Sequence, residues 1–517
     1  MKEAIEDGQI PPLWGGRLMG GIGSPALMLN YQLPYYPVVF LMEQGVTPEA
    51  AIKTLLITTY ILSGFFMYWA LLKKYGPWPA LAGAVIYILA AYRFVDVYVR
   101  GALGECVAFM FPPLILGSYW RKYDVLLTLS LAGLFLSHPV GNMLFSVLFV
   151  GILIMDLYET KRWKDIYKYA LLYLLAFAIA AYNVIPTLVL TKFTHYSPAD
   201  SGTLLQFPTL RQLIHSPWGY GISTFDENDG MSFSVGYAQW LALIMSLIGL
   251  AVAATKRTKE WWLGVYMWVA AVISILLMLR VSTPVYKLLH LPGVIDYPWR
   301  ILMIVVFVSS ILWAWAVART KKVGHQVAMT MLIIAMAIYS NRNHWKVNDV
   351  WRVPTEKFVT ETGDSYGEYA SNARQTRDMG MYPTRVSLLS GRADIRILAD
   401  RSNILDVETR AKEPHKIQLN IMYFPGWEVT ANNKPMELSD NASGLPRCTV
   451  TTRSDAKVDD SGMIACELPA GSNRVVARYI PLVVQTISNM VTLFALGGIG
   501  VWLTYQSFCR RITKKKQ

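Results

Sequence analysis

Long apolar runs separated by short polar loops are the feature that most constrains what this chain can fold into. Each run approaches the roughly 20 residues that a helix needs to cross a bilayer. The runs lie at about 51–72, 78–92, 103–120, 125–155, 166–190, 236–254, 261–279, 299–318, 326–339 and 482–505, and residues 137–139 divide the fourth run in two. The sequence therefore predicts a polytopic α-helical membrane protein with about eleven spans.

The lysine and arginine residues support this division, because they gather in alternate loops. The basic loops and the basic tail lie at 73–74, 121–122, 161–164, 256–259, 319–322 and 510–516. Short loops rich in these residues stay in the cytoplasm. We therefore expect a multi-pass protein of the cytoplasmic membrane with a cytoplasmic C-terminus. The net charge of +13 then reflects topology and contact with membrane lipid, and no nucleic-acid partner is expected.

With this topology, residues 1–50 form an outer loop, the first loop of the membrane domain, although residues 1–8 lack the apolar region of a signal peptide. Two explanations are open. The first span translocates a short N-terminus unaided, or the natural protein has a further helix upstream of Met1.

A different composition begins at residue 341, after the membrane domain of residues 51–340. In the segment 415–423, Ile417, Leu419 and Ile421 alternate with polar residues, and turn-forming residues occupy 432–434 and 469–473. We therefore expect an extracytoplasmic β-sandwich at 341–480, followed at 481–517 by the final span and the basic tail. Cys448 and Cys466 both lie in this domain. A disulfide between them is expected in an oxidising compartment, and the alternative is two free buried thiols.

Ionisable residues at the outer ends of the spans are the candidates for chemistry. On a helix, Arg93, Asp96 and Arg100 share a face, so Asp96 and Arg100 could pair. Glu105 begins the next run, where a carboxylate is costly and usually has a partner. Glu105, Asp96 and His138 are the candidate catalytic residues.

Three arginines are the candidates for binding phosphate, because a guanidinium group matches phosphate oxygens bidentately. They are Arg93, Arg100 and Arg300, the last in the motif Tyr297–Arg300 at another outer span end. The alternative for each is interfacial anchoring, without a ligand.

The loop at 191–232 is rich in aromatic residues, glycine, histidine and aspartate. Asp226 and Asp229 in this loop could bind a divalent cation, the one cofactor that the residues suggest. A solvated acidic turn is the alternative. No nucleotide-binding loop or zinc-binding motif is present.

Several motifs together resemble a family of bacterial membrane proteins over nearly the whole chain. They are GQIPPLW (8–14), GSP (23–25), YQLPYY (31–36), YVRGALGE (98–105), WGYG (218–221), MSFSVG (231–236), PWR (298–300) and FPGW (424–427). The chain is similar to the proteins labelled 6-pyruvoyl-tetrahydropterin synthase-related and, more distantly, to YfhO-like proteins. The pterin label implies no such activity here, because no histidine cluster suggests a pterin-synthase zinc site.

These families resemble the GT-C glycosyltransferases. The resemblance implies a GT-C-like helical membrane core, an outer active site and a polyprenyl-phosphate sugar donor. It favours a further span upstream of Met1, because GT-C enzymes carry an acidic residue in the loop after their first span. Glu3, Glu6 and Asp7 do not match that motif.

The resulting functional prediction is transfer of a sugar to a glycan or protein acceptor on the outer face of the membrane. The alternative is a non-catalytic envelope protein that binds or moves lipid-linked glycans.

Overall fold

The structure is a computed structural model that describes residues 1–196, 204, 206–221, 223, 230–256, 261–344, 369, 384–436, 448–450 and 462–515. The described chain is mostly helical, with a β-sheet region toward the C-terminus. It forms two compact units. The sheet unit comprises Met1–Glu49, Ala181–Tyr196 and Arg352–Leu496, and the helical unit comprises Ala50–Ala180, Ser197–Trp351 and Gly497–Gln517. Residues 1–50, predicted to be a loop of the membrane domain, thus fall almost entirely in the sheet unit.

The α-helices follow the apolar runs of the sequence, with short helices between them. They are α1 (Lys2–Glu6), α2 (Ala26–Leu29), α3 (Tyr35–Glu43), α4 (Pro48–Tyr75), α5 (Pro77–Ile88), α6 (Ala91–Phe94), α7 (Leu103–Ala108), α8 (Phe111–Arg121), α9 (Asp124–Phe135), α10 (Pro139–Thr160), α11 (Asp165–Leu190), α12 (Leu210–Ile214), α13 (Tyr237–Lys256), α14 (Trp261–Leu277), α15 (Thr283–Leu288), α16 (Leu302–Val317), α17 (Val323–Ser340) and α18 (Val483–Lys515). A π-helical turn follows α6 at Val95–Val99, and a 3₁₀ turn at Pro298–Ile301 leads into α16.

Several of these helices are long and apolar enough to span a membrane. Within the described residues there are seven, or nine if two bent helix pairs each form one span. The seven lie in α4, α10, α11, α13, α16 with its preceding 3₁₀ turn, α17 and α18. The multi-pass character expected from the sequence is therefore supported by length and composition.

The predicted count of eleven spans is not confirmed, and the difference arises in two places. Helices α8 and α9 have 11 and 12 residues, which at 1.5 Å per residue is too short to cross the hydrocarbon core. The run at 103–120 is also broken, because α7 ends at Ala108 and α8 begins at Phe111. Continuous hydrophobicity in the sequence does not distinguish one long helix from two short ones.

Helix α16 is the central helix of the helical unit. In the span Pro298–Val317, 94% of the most apolar window is buried inside the protein, against 39% or less in the other six. All 16 residues of α16 are buried, and apolar residues lie on every side of the helix, as expected for a helix enclosed by others. The residues just before it, Asp296 to Arg300, are therefore held against the interior of the unit.

The described strands of the sheet unit form two antiparallel sheets. They are β1 (Val386–Ser390), β2 (Asp394–Arg401), β3 (Ile404–Ala411), β4 (His415–Met422), β5 (Trp427–Ala431), β6 (Lys434–Met436), β7 (Cys448–Val450), β8 (Met463–Leu468) and β9 (Gly471–Tyr479). One sheet has the order β1-β4-β8-β7 and the other β2-β3-β9-β5-β6. Strand β4 coincides with the alternating segment at 415–423, and apolar and polar residues also alternate along β3 and β9.

The core of the sheet unit contains the apolar face predicted for β4. Ile417, Leu419 and Ile421 are each 0% exposed. Asn420, predicted to point the other way, is also buried, and its amide donates hydrogen bonds to the Thr384 carbonyl and the Ser387 hydroxyl. Both faces of this strand are therefore covered.

The register between β7 and β8 bears on the predicted disulfide. Cys448 is the residue opposite Cys466 across this antiparallel pair. Cys466 is disulfide-bonded. Cys106, which lies in α7 of the helical unit, is a buried free thiol.

The N-terminal segment packs into the same core as the strands. The Trp14 ring lies 5.4 Å from that of Trp427, 5.6 Å from that of Tyr479 and 6.2 Å from that of Phe424, between centroids. The Gln9 side chain accepts hydrogen bonds from the Leu13 and Trp14 amides. The motifs at 8–14 and 424–427 therefore meet as parts of one hydrophobic core.

Candidate functional site

Glu105 lies at the centre of a buried polar cluster in the helical unit and is 1% exposed. Arg100 makes a bidentate ion pair with its carboxylate. Nη1 donates to Oε2 at 2.9 Å, and Nη2 donates to Oε1 at 2.8 Å. The Tyr92 hydroxyl donates to Oε2 at 2.7 Å. A buried carboxylate needs such charge-assisted bonds to offset the cost of leaving water.

Two further groups reach the same carboxylate from other parts of the chain. Nε of Arg300 lies 3.1 Å from Oε1 of Glu105, and Nε2 of His138 lies 3.6 Å from it. Nδ1 of His138 accepts a hydrogen bond from the Gly141 amide at 3.0 Å and so caps the N-terminus of α10. We call Tyr92, Asp96, Arg100, Glu105, His138, Asp296 and Arg300 the Glu105 cluster.

Each arginine of the Glu105 cluster also has a carboxylate of its own. Arg100 donates to Asp96 at 2.5 Å, which confirms the pair expected from the spacing of four residues. Arg300 donates to Asp296, also four residues earlier. Two guanidinium groups thus meet three carboxylates, so the carboxylates outnumber the guanidinium groups within the cluster.

Aromatic rings position both guanidinium groups. That of Arg100 lies 4.6 Å from the centroid of the Trp299 ring, and that of Arg300 lies 5.0 Å from the Tyr297 ring. Both arginine side chains remain 14% exposed. A ligand could therefore contact the exposed edges of the two arginines, whereas the carboxylate oxygens of Glu105 are buried.

A tight turn between the π-helical turn and α7 places the side chains of Arg100 and Glu105 next to each other. Helix α6 passes into the π-helical turn Val95–Val99, and Gly101 then adopts a φ of 56°. This left-handed conformation is accessible to glycine at little cost. The Ala102 amide donates to the Asp96 carbonyl and closes the turn, so that α7 begins with Glu105 in its first turn.

Arg93, the third predicted phosphate ligand, lies in a different environment. Its side chain is buried, donates to the Ser63 hydroxyl at 3.1 Å and lies 4.2 Å from the Phe109 ring centroid. Among the described residues it has no carboxylate within ion-pair distance, and its Nε and Nη1 have no hydrogen-bond partner. Arg93 therefore belongs to the aromatic interior and not to the Glu105 cluster.

The predicted metal ligands Asp226 and Asp229 lie outside the described residues. Within the described part of the chain, no group of three or more histidine, cysteine, aspartate or glutamate side chains is placed to hold a metal ion.

Some cluster members were absent from the sequence-based prediction. Charge is the criterion that selects candidates among residues 92–105 in the sequence, and it omits Tyr92, whose hydroxyl donates to Glu105 directly. Asp296 is also absent from the predicted site, although it lies four residues before Arg300, the same spacing as between Asp96 and Arg100. That repeated spacing is the signal that could have identified it.

The chain was compared with known protein families, with curated proteins and with solved structures. None of the three comparisons finds a match.

Proposed function

We propose that this chain acts on a sugar linked to a lipid phosphate, as a GT-C-type glycosyltransferase with a polyprenyl-phosphate sugar as donor. The observation that carries the proposal is the convergence of Arg100 and Arg300 on Glu105, with both arginines still partly exposed. Their exposed edges would bind the phosphate of the donor and stabilise it as it leaves. Glu105 holds the two guanidinium groups in place.

A second candidate function is a non-catalytic envelope protein that binds or moves a lipid-linked glycan. One observation favours it. Glu105 and Asp96 are each 1% exposed and both accept hydrogen bonds from Arg100. A general base must reach the acceptor hydroxyl within hydrogen-bond distance, and neither carboxylate is exposed in this arrangement.

One experiment separates the two candidates. Protein in lipid nanodiscs is incubated with radiolabelled polyprenyl-phosphate glucose and polyprenyl-phosphate mannose. Donor binding and hydrolytic release of the sugar, with water as the acceptor, are measured separately. The glycosyltransferase hypothesis expects binding and release. The second candidate expects binding alone, and absence of binding contradicts both.

The Arg300→Lys variant tests the phosphate contact, because lysine keeps the charge but loses the guanidinium fork. We expect donor binding to weaken about tenfold, the equivalent of one charge-assisted hydrogen bond. Arg121→Lys is the matched control, since Arg121 stacks on Trp69 at 4.0 Å and is not part of the Glu105 cluster. Equal binding by the two variants would exclude the phosphate role of Arg300.

The proposal includes a topology. We propose eleven spans, a cytoplasmic C-terminus, and an extracytoplasmic sandwich formed by the two sheets. The alternating basic loops support this orientation. In intact cells a membrane-impermeant maleimide should label Arg392→Cys, between β1 and β2, and should label Lys322→Cys, before α17, only after permeabilisation. The reverse pattern would invert the topology.

A further inference from the structure

A second cavity in the helical unit has a chemistry unlike that of the Glu105 cluster. Its volume is about 570 Å³, and its lining includes Trp218, Tyr237, His215 and His344 together with serine and asparagine side chains. We call it the Trp218 pocket. As far as the structure describes it, the lining holds no carboxylate and a single cation, Arg342. Trp218, the first residue of the WGYG motif at 218–221, lines the pocket, and the transfer reaction gives this residue no role.

The hydrogen bonds around His344 define which of its nitrogens carries a proton. The Asn341 amide nitrogen donates to the carbonyls of Leu89 and Ala337 at 2.6 and 2.8 Å, so its Oδ1 is the end that faces His344. Nδ1 of His344 lies 2.7 Å from that oxygen and must donate to it. In the neutral ring, Nε2 is then an acceptor.

The burial of His344 favours this neutral form. Desolvation lowers its pKa to about 4, because burial disfavours the charged imidazolium. At neutral pH the ring therefore presents an acceptor and not a positive charge.

Trp218 supplies the complementary donor. Its ring lies 4.1 Å from the His344 ring, between centroids, at an interplanar angle of 64°. Its indole N–H is buried and has no acceptor among the described residues. A buried donor without a partner is costly, and such a group commonly marks a ligand or water position.

Arg342, the one cation among the described lining residues, already has partners. The Arg342 guanidinium lies 4.2 Å from the Tyr339 ring centroid, and its Nη1 donates to the Tyr339 carbonyl at 2.9 Å. An anionic ligand would therefore meet one stacked arginine and no second charge. A ligand with hydroxyl groups and an apolar C–H face would instead match the donor, the acceptor and the aromatic rings.

We propose that the Trp218 pocket binds a neutral pyranose, an unphosphorylated sugar unit of a glycan. The hydroxyls accept from the Trp218 indole and donate to His344 Nε2, and the C–H face of the ring packs on the aromatic lining. The assignment rests on the pocket itself and not on the transfer reaction. It is tested without any lipid donor, so either proposal can fail alone.

The test is titration of full-length protein in nanodiscs, with no maltoside detergent, by saturation-transfer NMR. The probes are the methyl glycosides of glucose, galactose, mannose and N-acetylglucosamine, with glucose 1-phosphate as the charged comparison. At least one methyl glycoside should bind saturably. Failure of all four, or saturable binding of glucose 1-phosphate alone, would overturn the proposal.

Variants then locate the binding. Trp218→Phe keeps an aromatic ring and removes the N–H, and His344→Phe removes the acceptor. Each should weaken binding about tenfold, because each leaves a hydroxyl of the bound sugar unpaired. Trp163→Phe is the control, since Trp163 is 47% exposed in another loop. Wild-type affinity in both pocket variants, with unchanged thermal melting, would contradict the assignment.

Discussion

Arg93 and Arg100 lie seven residues apart and are both largely buried in the helical unit, but their surroundings differ. Arg100 is held by Asp96 and Glu105 at 2.5 and 2.8 Å. Arg93 is held by the Ser63 hydroxyl and by aromatic rings, the nearest being that of Phe109. The guanidinium group of Arg100 is compensated by carboxylates, whereas that of Arg93 has no carboxylate partner among the described residues and lies among apolar groups.

The comparison shows that the partners of a buried arginine, more than its burial, determine what it contributes. A buried ion pair stabilises the fold only while both charges have their partners. Removing one partner leaves the other charge buried and uncompensated, and the protein then bears the full desolvation penalty of that charge. A guanidinium group that pairs with no carboxylate leaves no uncompensated buried charge when it is removed. The same substitution should therefore destabilise the protein much more at Arg100 than at Arg93.

The largest effect is expected for Arg100→Met. Methionine is similar in length but leaves Glu105 without its bidentate partner. Breaking a buried pair in this way costs about 3–5 kcal/mol. We expect a marked fall in melting temperature, measured by thermal unfolding of the protein in nanodiscs.

The matched control for that experiment is Asp165→Asn. Asp165 pairs with Arg162 at 3.4 Å, and the two side chains are 39% and 38% exposed. An exposed pair of this kind contributes at most about 1 kcal/mol. If Arg100→Met were no more destabilising than Asp165→Asn, the Glu105 cluster would not be a dry ion-pair network.

A smaller loss is expected for Tyr92→Phe. The Tyr92 hydroxyl donates to Glu105 and accepts from Arg100 at 3.2 Å. Loss of a hydrogen bond to a charged group costs about 1.5–3 kcal/mol. The same thermal measurement tests this expectation, with Tyr98→Phe as control because Tyr98 is 55% exposed. Equal melting temperatures for the two variants would mean that water replaces the hydroxyl.

Much of the fold could be predicted from the sequence, because local patterns of apolar and polar residues determine where the helices and strands form. Strands β3 and β4 begin at Ile404 and His415, where the alternation of apolar and polar residues begins. The span count was less predictable. The division of the apolar run 125–155 at residues 137–139 is confirmed, because α9 ends at Phe135 and α10 begins at Pro139. Hydrophobicity does not show that α9 has only 12 residues.

The candidate site was partly predictable for a related reason. The Asp96–Arg100 pair follows from helical spacing, which is a local property. The contacts of Glu105 with His138 and Arg300 join residues 33 and 195 positions later in the chain, so they depend on helix packing that no local pattern encodes. The same limit applies to Trp14, whose neighbours Phe424 and Trp427 are distant in sequence.

The smallest effect is expected for Arg93→Met, and it tests the comparison most sharply. The substitution removes one hydrogen bond to Ser63 and the stacking on Phe109, the latter about 2 kcal/mol when desolvated. It also removes a buried charge whose Nε and Nη1 have no partner among the described residues, a cost of about 1–3 kcal/mol. These contributions oppose each other, so the melting temperature should stay near that of the wild type. A loss as large as that of Arg100→Met would show instead that Arg93 holds an anion in the native protein.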